Sequence, residues 1–246
     1  RTRRKVTLLT HSLGGLMGHY FLTRVVDDEW KARHIHAWVP VSPAYGGAVA
    51  DLLQVVTGDN GGIRWLKPSD VHDEQRTDES SYWLLPDPHL YDDSTVLVST
   101  PQRDYTAHDY LALWKDSGFG TEGAYIHNRV RDLTPWMEDN KLQDPNVKVY
   151  PVYGNGVPTS MQFVYDTTDF RKSPKKILDT MEGDGTVPRI SLQAGDGWSQ
   201  AAPPLILEGA THGGVLSQEA LLSLLDEVVQ ISTESLAHPI ILGSER

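Results

Sequence analysis

Apolar and polar positions along the chain follow two periods. Short runs in which nearly every residue is apolar read as buried strands: "VTLLT" from Val6, "HAWVPVS" from His36, "NVKVYPVYG" from Asn146 and "PPLILEG" from Pro203. "STVLVST" and "MQFVYD" read as further short strands. Between them, apolar residues recur at helical spacing. The stretch "LMGHYFLTRVVDDEW" carries Leu16, Tyr20 and Val25 on one face, with Phe21 and Leu22 adjoining. "AVADLLQVV" reads as a helix stopped by "GDNGG", "AHDYLALWKDSG" as a helix ending at a glycine, and "VLSQEALLSLLDEVVQIS" as a strongly apolar helix. Strand followed by helix, repeated, predicts an α/β fold with a mostly parallel sheet flanked by helices. From Ile63 to about Asp93 the pattern dissolves into polar, proline-containing sequence. Loops of that length are commonly lids or binding segments, so a lid or cap insertion is expected over about 58–145 within a single domain spanning 1–246.

Composition narrows the partners. The 246 residues carry a formal charge of −11, which disfavours nucleic acid as a partner because phosphate-backbone binding needs clustered Lys and Arg. The one basic run, Arg1, Arg3, Arg4 and Lys5, leads directly into a strand and reads as a solvated segment. There is no cysteine, so disulfides and thiolate zinc sites are excluded. No apolar run approaches the ~20 residues of a membrane span.

The chemistry lies at three corners. In "THSLGG", Ser12 sits between a strand and a helix, with small residues following. A serine on such a corner projects its hydroxyl beyond the sheet edge, and the helix N-terminus aims free N–H groups at the same spot. The usual G-x-S-x-G pattern has glycine where this chain has Thr10. Taken singly, Ser12 reads as a nucleophile or as a helix-capping serine. "EGDGTVP" supplies Asp184 and "LEGATHGG" supplies His212; each reads singly as an ordinary turn or loop residue. The order serine, acid, histidine, each after a predicted strand, unites them as nucleophile, orienting acid and general base. His11 is placed to contact neighbours or a ligand. His34 and His36 read as surface groups, and His72, His89, His108 and His127 show no metal-ligand spacing. "GDNGG", with Asp59 and Asn60, offers too few oxygens for calcium and reads as a helix stop.

These residues resemble the lecithin:cholesterol acyltransferase and lysosomal phospholipase A2 family of α/β-hydrolases. The resemblance rests on "HSLGG", "SPAYGG", "GDN", "SSYWLLP", "DYTAHDYLALWKDSGF", "YGNGVPT" and "GDGTVP", in that order over nearly the whole chain. "HSLGG" and "DGTVP" are shared with many lipases; "YGNGVPT" followed by "GDGTVP" is more specific. The resemblance implies a serine acyl-enzyme mechanism on glycerophospholipid esters, with a sterol, another lipid alcohol or water accepting the acyl group. It implies Ser12, Asp184 and His212 as the triad and the Leu13 amide as an oxyanion-hole donor. It places a mobile lid over about Ile63 to Thr77, where Trp65 and Leu66 meet lipid or pack on the core. Gly156, Val157, Pro158 and Thr159 form a substrate-lining loop or a plain turn. No cofactor or metal is implied; the implied contacts are a phospholipid substrate and a peripheral membrane or lipoprotein surface.

Two departures qualify these expectations. Animal members have cysteines flanking the acid-bearing segment and this chain has none, so a secretory or lysosomal location stays open. The family has further strands and a second oxyanion donor before the nucleophile strand, so the chain resembles a C-terminal portion of a longer enzyme, with its first strands missing. As such it is expected to be weakly active or inactive, with binding of lipid or a partner as the alternative role; a small-ester esterase is a further alternative.

Overall fold

A computed structural model describes residues 5–58 and 73–237. Trp65, Leu66, Asp59, Asn60 and most of the expected lid lie outside the described residues. The described residues form two four-stranded sheets. The first runs β1 (Val6–His11), β2 (Ile35–Val41), β5 (Val152–Asn155), β8 (Leu205–Glu208), with all neighbours parallel. The second is mixed. It orders β4 (Asp104–Tyr105), β3 (Val98–Ser99), β6 (Thr159–Val164), β7 (Lys176–Thr180), with only β3 and β6 parallel.

The central strands β2 and β5 are buried on both faces, which is why they read as continuous apolar runs. On β2 the faces alternate. Trp38 packs with Leu22 and Trp198 on one side, while Ala37, Val39 and Val41 pack with Val152, Leu221 and Val228 on the other. The helix α8 (Glu219–Ala237), entered through a 3₁₀ turn at Gly214–Ser217, brings Leu221 and Val228. β1 forms an edge of this sheet, with Val6 and Leu9 exposed along it.

Pro40 sits inside β2, where a proline removes a ladder donor. The ladder toward β5 shows the gap. Trp38 N–H bonds the Lys148 carbonyl, Tyr150 N–H bonds the Trp38 carbonyl, and the next donation from β2 comes from Ser42 to Val152.

The helical stretch expected from Leu16 to Trp30 is three pieces. These are α1 (Leu13–Tyr20), a π-helical turn at Phe21–Val25 and α2 (Asp28–His34). Val26 is extended, and Asp27 caps α2 by accepting from the Trp30 amide at 2.7 Å. The aspartate run at 27–28 therefore starts a new helix.

The second sheet packs with α3 (Val49–Thr57), α4 (Glu79–Trp83), α5 (Tyr110–Asp116) and α6 (Gly120–Val130) around a core that includes Leu52, Tyr82, Leu113, Trp114 and Phe163. The sheet of this body takes β6 and β7 from beyond residue 145, and Leu142 packs with Trp38 and Trp198 beneath the first sheet. The glycine-bearing α6 was not separable by periodicity. Gly123 lies against Trp114, where a Cβ would come within 2.8 Å of the indole, so close packing holds this helix in spite of poor intrinsic propensity.

His19 on α1 is fully buried in a cluster with Trp38 and Trp198, its ring 6.3 and 5.1 Å from theirs and the two indoles 5.7 Å from each other. Its Nε2–H donates to the Gln143 carbonyl at 2.7 Å. Burial lowers its pKa to about 4, only partly offset by that hydrogen bond. Above the ordinary imidazole pKa the ring is neutral in folded and unfolded chain alike, and its packing contributes in full. That contribution falls as pH drops through the interval between about 6.5 and about 4, by roughly 3 kcal/mol in all. Urea titrations across this interval should show that decline, and His19→Phe should remove that part of it.

Candidate active site

β1 ends at His11, and the chain turns at once into α1. Ser12 makes the turn with φ 56° and ψ −126°, a conformation that costs a non-glycine residue about 1–3 kcal/mol. Backbone contacts hold it there. Its N–H donates to the Val41 carbonyl at 3.1 Å, and its own carbonyl accepts from Gly15 N–H at 2.8 Å. Gly15 is required by space, because a Cβ there would lie 2.6 Å from the Pro43 Cβ. Thr10 stands where glycine is usual, and its hydroxyl accepts from the Trp38 indole at 2.9 Å. The departure from the common motif is thus used by the core packing.

The Ser12 hydroxyl lies 2.8 Å from His212 Nε2, and His212 Nδ1 lies 2.7 Å from Asp184 Oδ2. A carboxylate accepts only, so Nδ1 carries the proton and Nε2 is free to accept from the serine. The strands account for the meeting. Ser12 follows β1, and His212 follows β8, both at the carboxyl ends of parallel strands. Asp184 lies in the turn after β7, bridged to Val157. His212 is held by its backbone as well: its N–H donates to the Asp184 carbonyl at 2.7 Å, and its carbonyl accepts from His11 Nε2–H at 2.9 Å.

Asp184 has no exposed side-chain surface. Burial alone pushes its carboxyl up. The hydrogen bond and charge of His212, with the amides of Val187 and Thr186, outweigh that and hold it below the usual carboxylate range. Leu13 opens α1, so its amide belongs to the first turn, where N–H groups lack intrahelical acceptors and the helix dipole is positive. Ser12, Leu13, Asp184, His212 and His11 are therefore gathered in one place.

The loop from Gly156 to Thr159 braces the acid turn. Val157 N–H donates to the Gly183 carbonyl at 3.1 Å, and the buried Thr159 hydroxyl both donates to the Val157 carbonyl at 2.8 Å and accepts from Gly185 N–H at 2.9 Å. Pro158 is exposed and Gly156 half-buried.

Two groups beside the site escaped notice in the sequence. Asp51, in the first turn of α3, has its pKa raised by burial to about 7, opposed by the charge of His212. The signal was an acid in the apolar helix "AVADLLQVV". Asn155, at the end of β5, donates to both carboxylate oxygens of Glu208 at 3.1 Å, and its carbonyl accepts from Gly209 at 2.7 Å, fixing the start of the His212 loop. Nothing in single-sequence spacing marks that pair.

Among the described residues, no group of three or more His, Asp or Glu is arranged to hold a metal ion, and no helix is long and apolar enough to cross a membrane.

Comparison with known proteins bears on this geometry. The family model described as lecithin:cholesterol acyltransferase matches residues 1–212. A lecithin-cholesterol acyltransferase-like 1 from Arabidopsis thaliana is 32% identical over 234 residues, covering 95% of this chain and 52% of that protein. A lysosomal phospholipase A and acyltransferase from Mus musculus is 32% identical, over 91% of this chain and 53% of that protein. A phosphatidylcholine-sterol acyltransferase from Mus musculus is 34% identical, over 78% of this chain and 42% of that protein. The chain thus spans about half the length of the curated relatives it matches. Among solved structures, that of a Tle4–Tli4 complex aligns over 94% of this chain and 60% of the other with a TM-score of 0.58 at 16% identity, a likeness of fold.

Proposed function

The chain belongs to the lecithin:cholesterol acyltransferase family, and from that premise we propose that it carries the acyl-transfer centre of a lipid acyltransferase or phospholipase. The observation that carries this proposal is the hydrogen-bonded line from Ser12 through His212 to Asp184, with contacts of 2.8 and 2.7 Å.

In the proposed reaction His212 Nε2 takes the Ser12 proton as Oγ bonds to the acyl carbonyl carbon of a glycerophospholipid. The carbonyl electrons move to oxygen, and the Leu13 amide at the positive end of α1 stabilises that charge. The imidazolium is stabilised by the Asp184 carboxylate and then gives its proton to the departing lysophospholipid oxygen. The acyl group rests as an ester on Ser12. In the second half His212 takes a proton from water or from a lipid alcohol, the new oxygen bonds to the acyl carbon, and the imidazolium returns that proton to Ser12 Oγ as the ester bond breaks. The likeness to proteins named as phospholipase and as sterol acyltransferase supports both acceptors.

The test is acyl release and acyl transfer measured on phosphatidylcholine vesicles with and without an added lipid alcohol. Ser12→Ala should lower both by about 10⁴-fold or more. Turnover that survives Ser12→Ala in folded protein would sink the proposal. His11 serves in this scheme by holding the His212 carbonyl. His11→Phe, which keeps a ring but loses the donor, should lower kcat with KM little changed. His11→Gln, whose amide can reach the same carbonyl, should recover much of the loss. A rise in KM alone in His11→Phe would instead make His11 a substrate contact.

A further inference from the structure

The basic run that opens the sequence has no part in the acyl chemistry, yet its last residue lines a cleft. Lys5, just before β1, His36, at the start of β2, and Lys148, on the segment bonded to β2, meet at the amino-terminal edge of the first sheet. This is the end of the strands opposite to Ser12. The cleft has a volume of about 240 Å³, and Lys31, Asn146 and Gln200 also line it.

We propose that this cleft binds a phosphate-type anion between Lys5 and Lys148.

The chain is acidic, at −11, and its carboxylates are free to neutralise lysines almost anywhere. Among the described residues neither Lys5 nor Lys148 has an ion-pair partner. The one carboxylate lining the cleft, Asp28, is committed elsewhere: Lys31 Nζ approaches it at 2.7 Å and Asn146 Nδ2 at 3.4 Å. Lys31 is itself buried and spends a second donor on the Pro145 carbonyl at 2.8 Å.

His36 lines the same cleft as Lys5 and Lys148. Burial lowers its pKa first, and the charges of Lys148 and then Lys5 lower it further, against a hydrogen bond to the Val228 backbone. Two like charges held toward one cleft repel each other and are relieved by an anion between them. Ammonium groups with the side-chain amide of Gln200 are a donor set suited to a tetrahedral oxyanion. The same chemistry is offered by free inorganic phosphate and by the phosphomonoester headgroup of phosphatidic acid. A bound anion here sits at the far end of the strands and does not compete for Ser12.

The experiment titrates the folded chain with inorganic phosphate by calorimetry. In parallel it measures sedimentation with phosphatidylcholine vesicles that contain or lack phosphatidic acid, at low ionic strength. The comparison protein is the double variant Lys5→Gln, Lys148→Gln; both residues are exposed, and circular dichroism verifies its fold. The proposal expects phosphate binding that weakens at least about tenfold in the double variant and declines with added salt. Sedimentation that depends on phosphatidic acid and is lost in the same variant assigns the headgroup as a ligand. Phosphate binding without it assigns the free anion. Failure of the wild-type chain to bind in both arms, or binding unchanged by the double substitution, would overturn the site.

Discussion

One hydrogen bond, 2.8 Å between the Ser12 hydroxyl and the His212 imidazole, joins residues 200 positions apart. It forms only because the backbone at Ser12 is held in a conformation that an isolated chain avoids. The sheet supplies the restraint. β2 lies inside the first sheet and gives Ser12 a carbonyl to bond; β5 and β8 in register deliver the His212 loop to the same edge. Much of the molecule near this edge can be understood as keeping that bond short. The Thr159 hydroxyl fixes the acid turn, the Asn155–Glu208 contact fixes the loop origin, and His11 ties the base to the strand that carries the serine.

The second body is coupled to this edge by the segment after β2. Pro43 packs against Gly15, the Gly46 amide donates to the Ser191 hydroxyl at 2.9 Å, and the Ala48 amide donates to the Leu84 carbonyl at 2.8 Å. One short segment thus touches the Ser12 turn, the helix Arg189–Leu192 after the acid turn and the beginning of the second body. α3 leaves from it and carries Asp51, whose carboxyl burial pushes up to about 7 against the charge of His212.

Much of this was legible in the sequence, for identifiable reasons. Runs such as "HAWVPVS" declared themselves because a strand buried on both faces has no polar positions. Ser12, Asp184 and His212 stood out by order and by their position after strands. The misjudged parts share a cause, namely that tertiary contacts decide them. α6 exists because Gly123 fits under Trp114, and the helical stretch divides because Asp27 offers a better cap than Val26 offers a continuation. The second sheet draws β6 and β7 from a distant part of the chain, and no local signal carries that pairing. Asp51 and the Asn155–Glu208 contact matter through burial and partners, which spacing does not report.

The most direct measurement is mass-spectrometric mapping of a fluorophosphonate adduct on the folded chain, wild type beside His212→Gln. The account requires a single modified residue, Ser12, with the modification slowed by orders of magnitude when the imidazole is replaced. Modification at another residue, or labelling of Ser12 at the same rate without the imidazole, would contradict it.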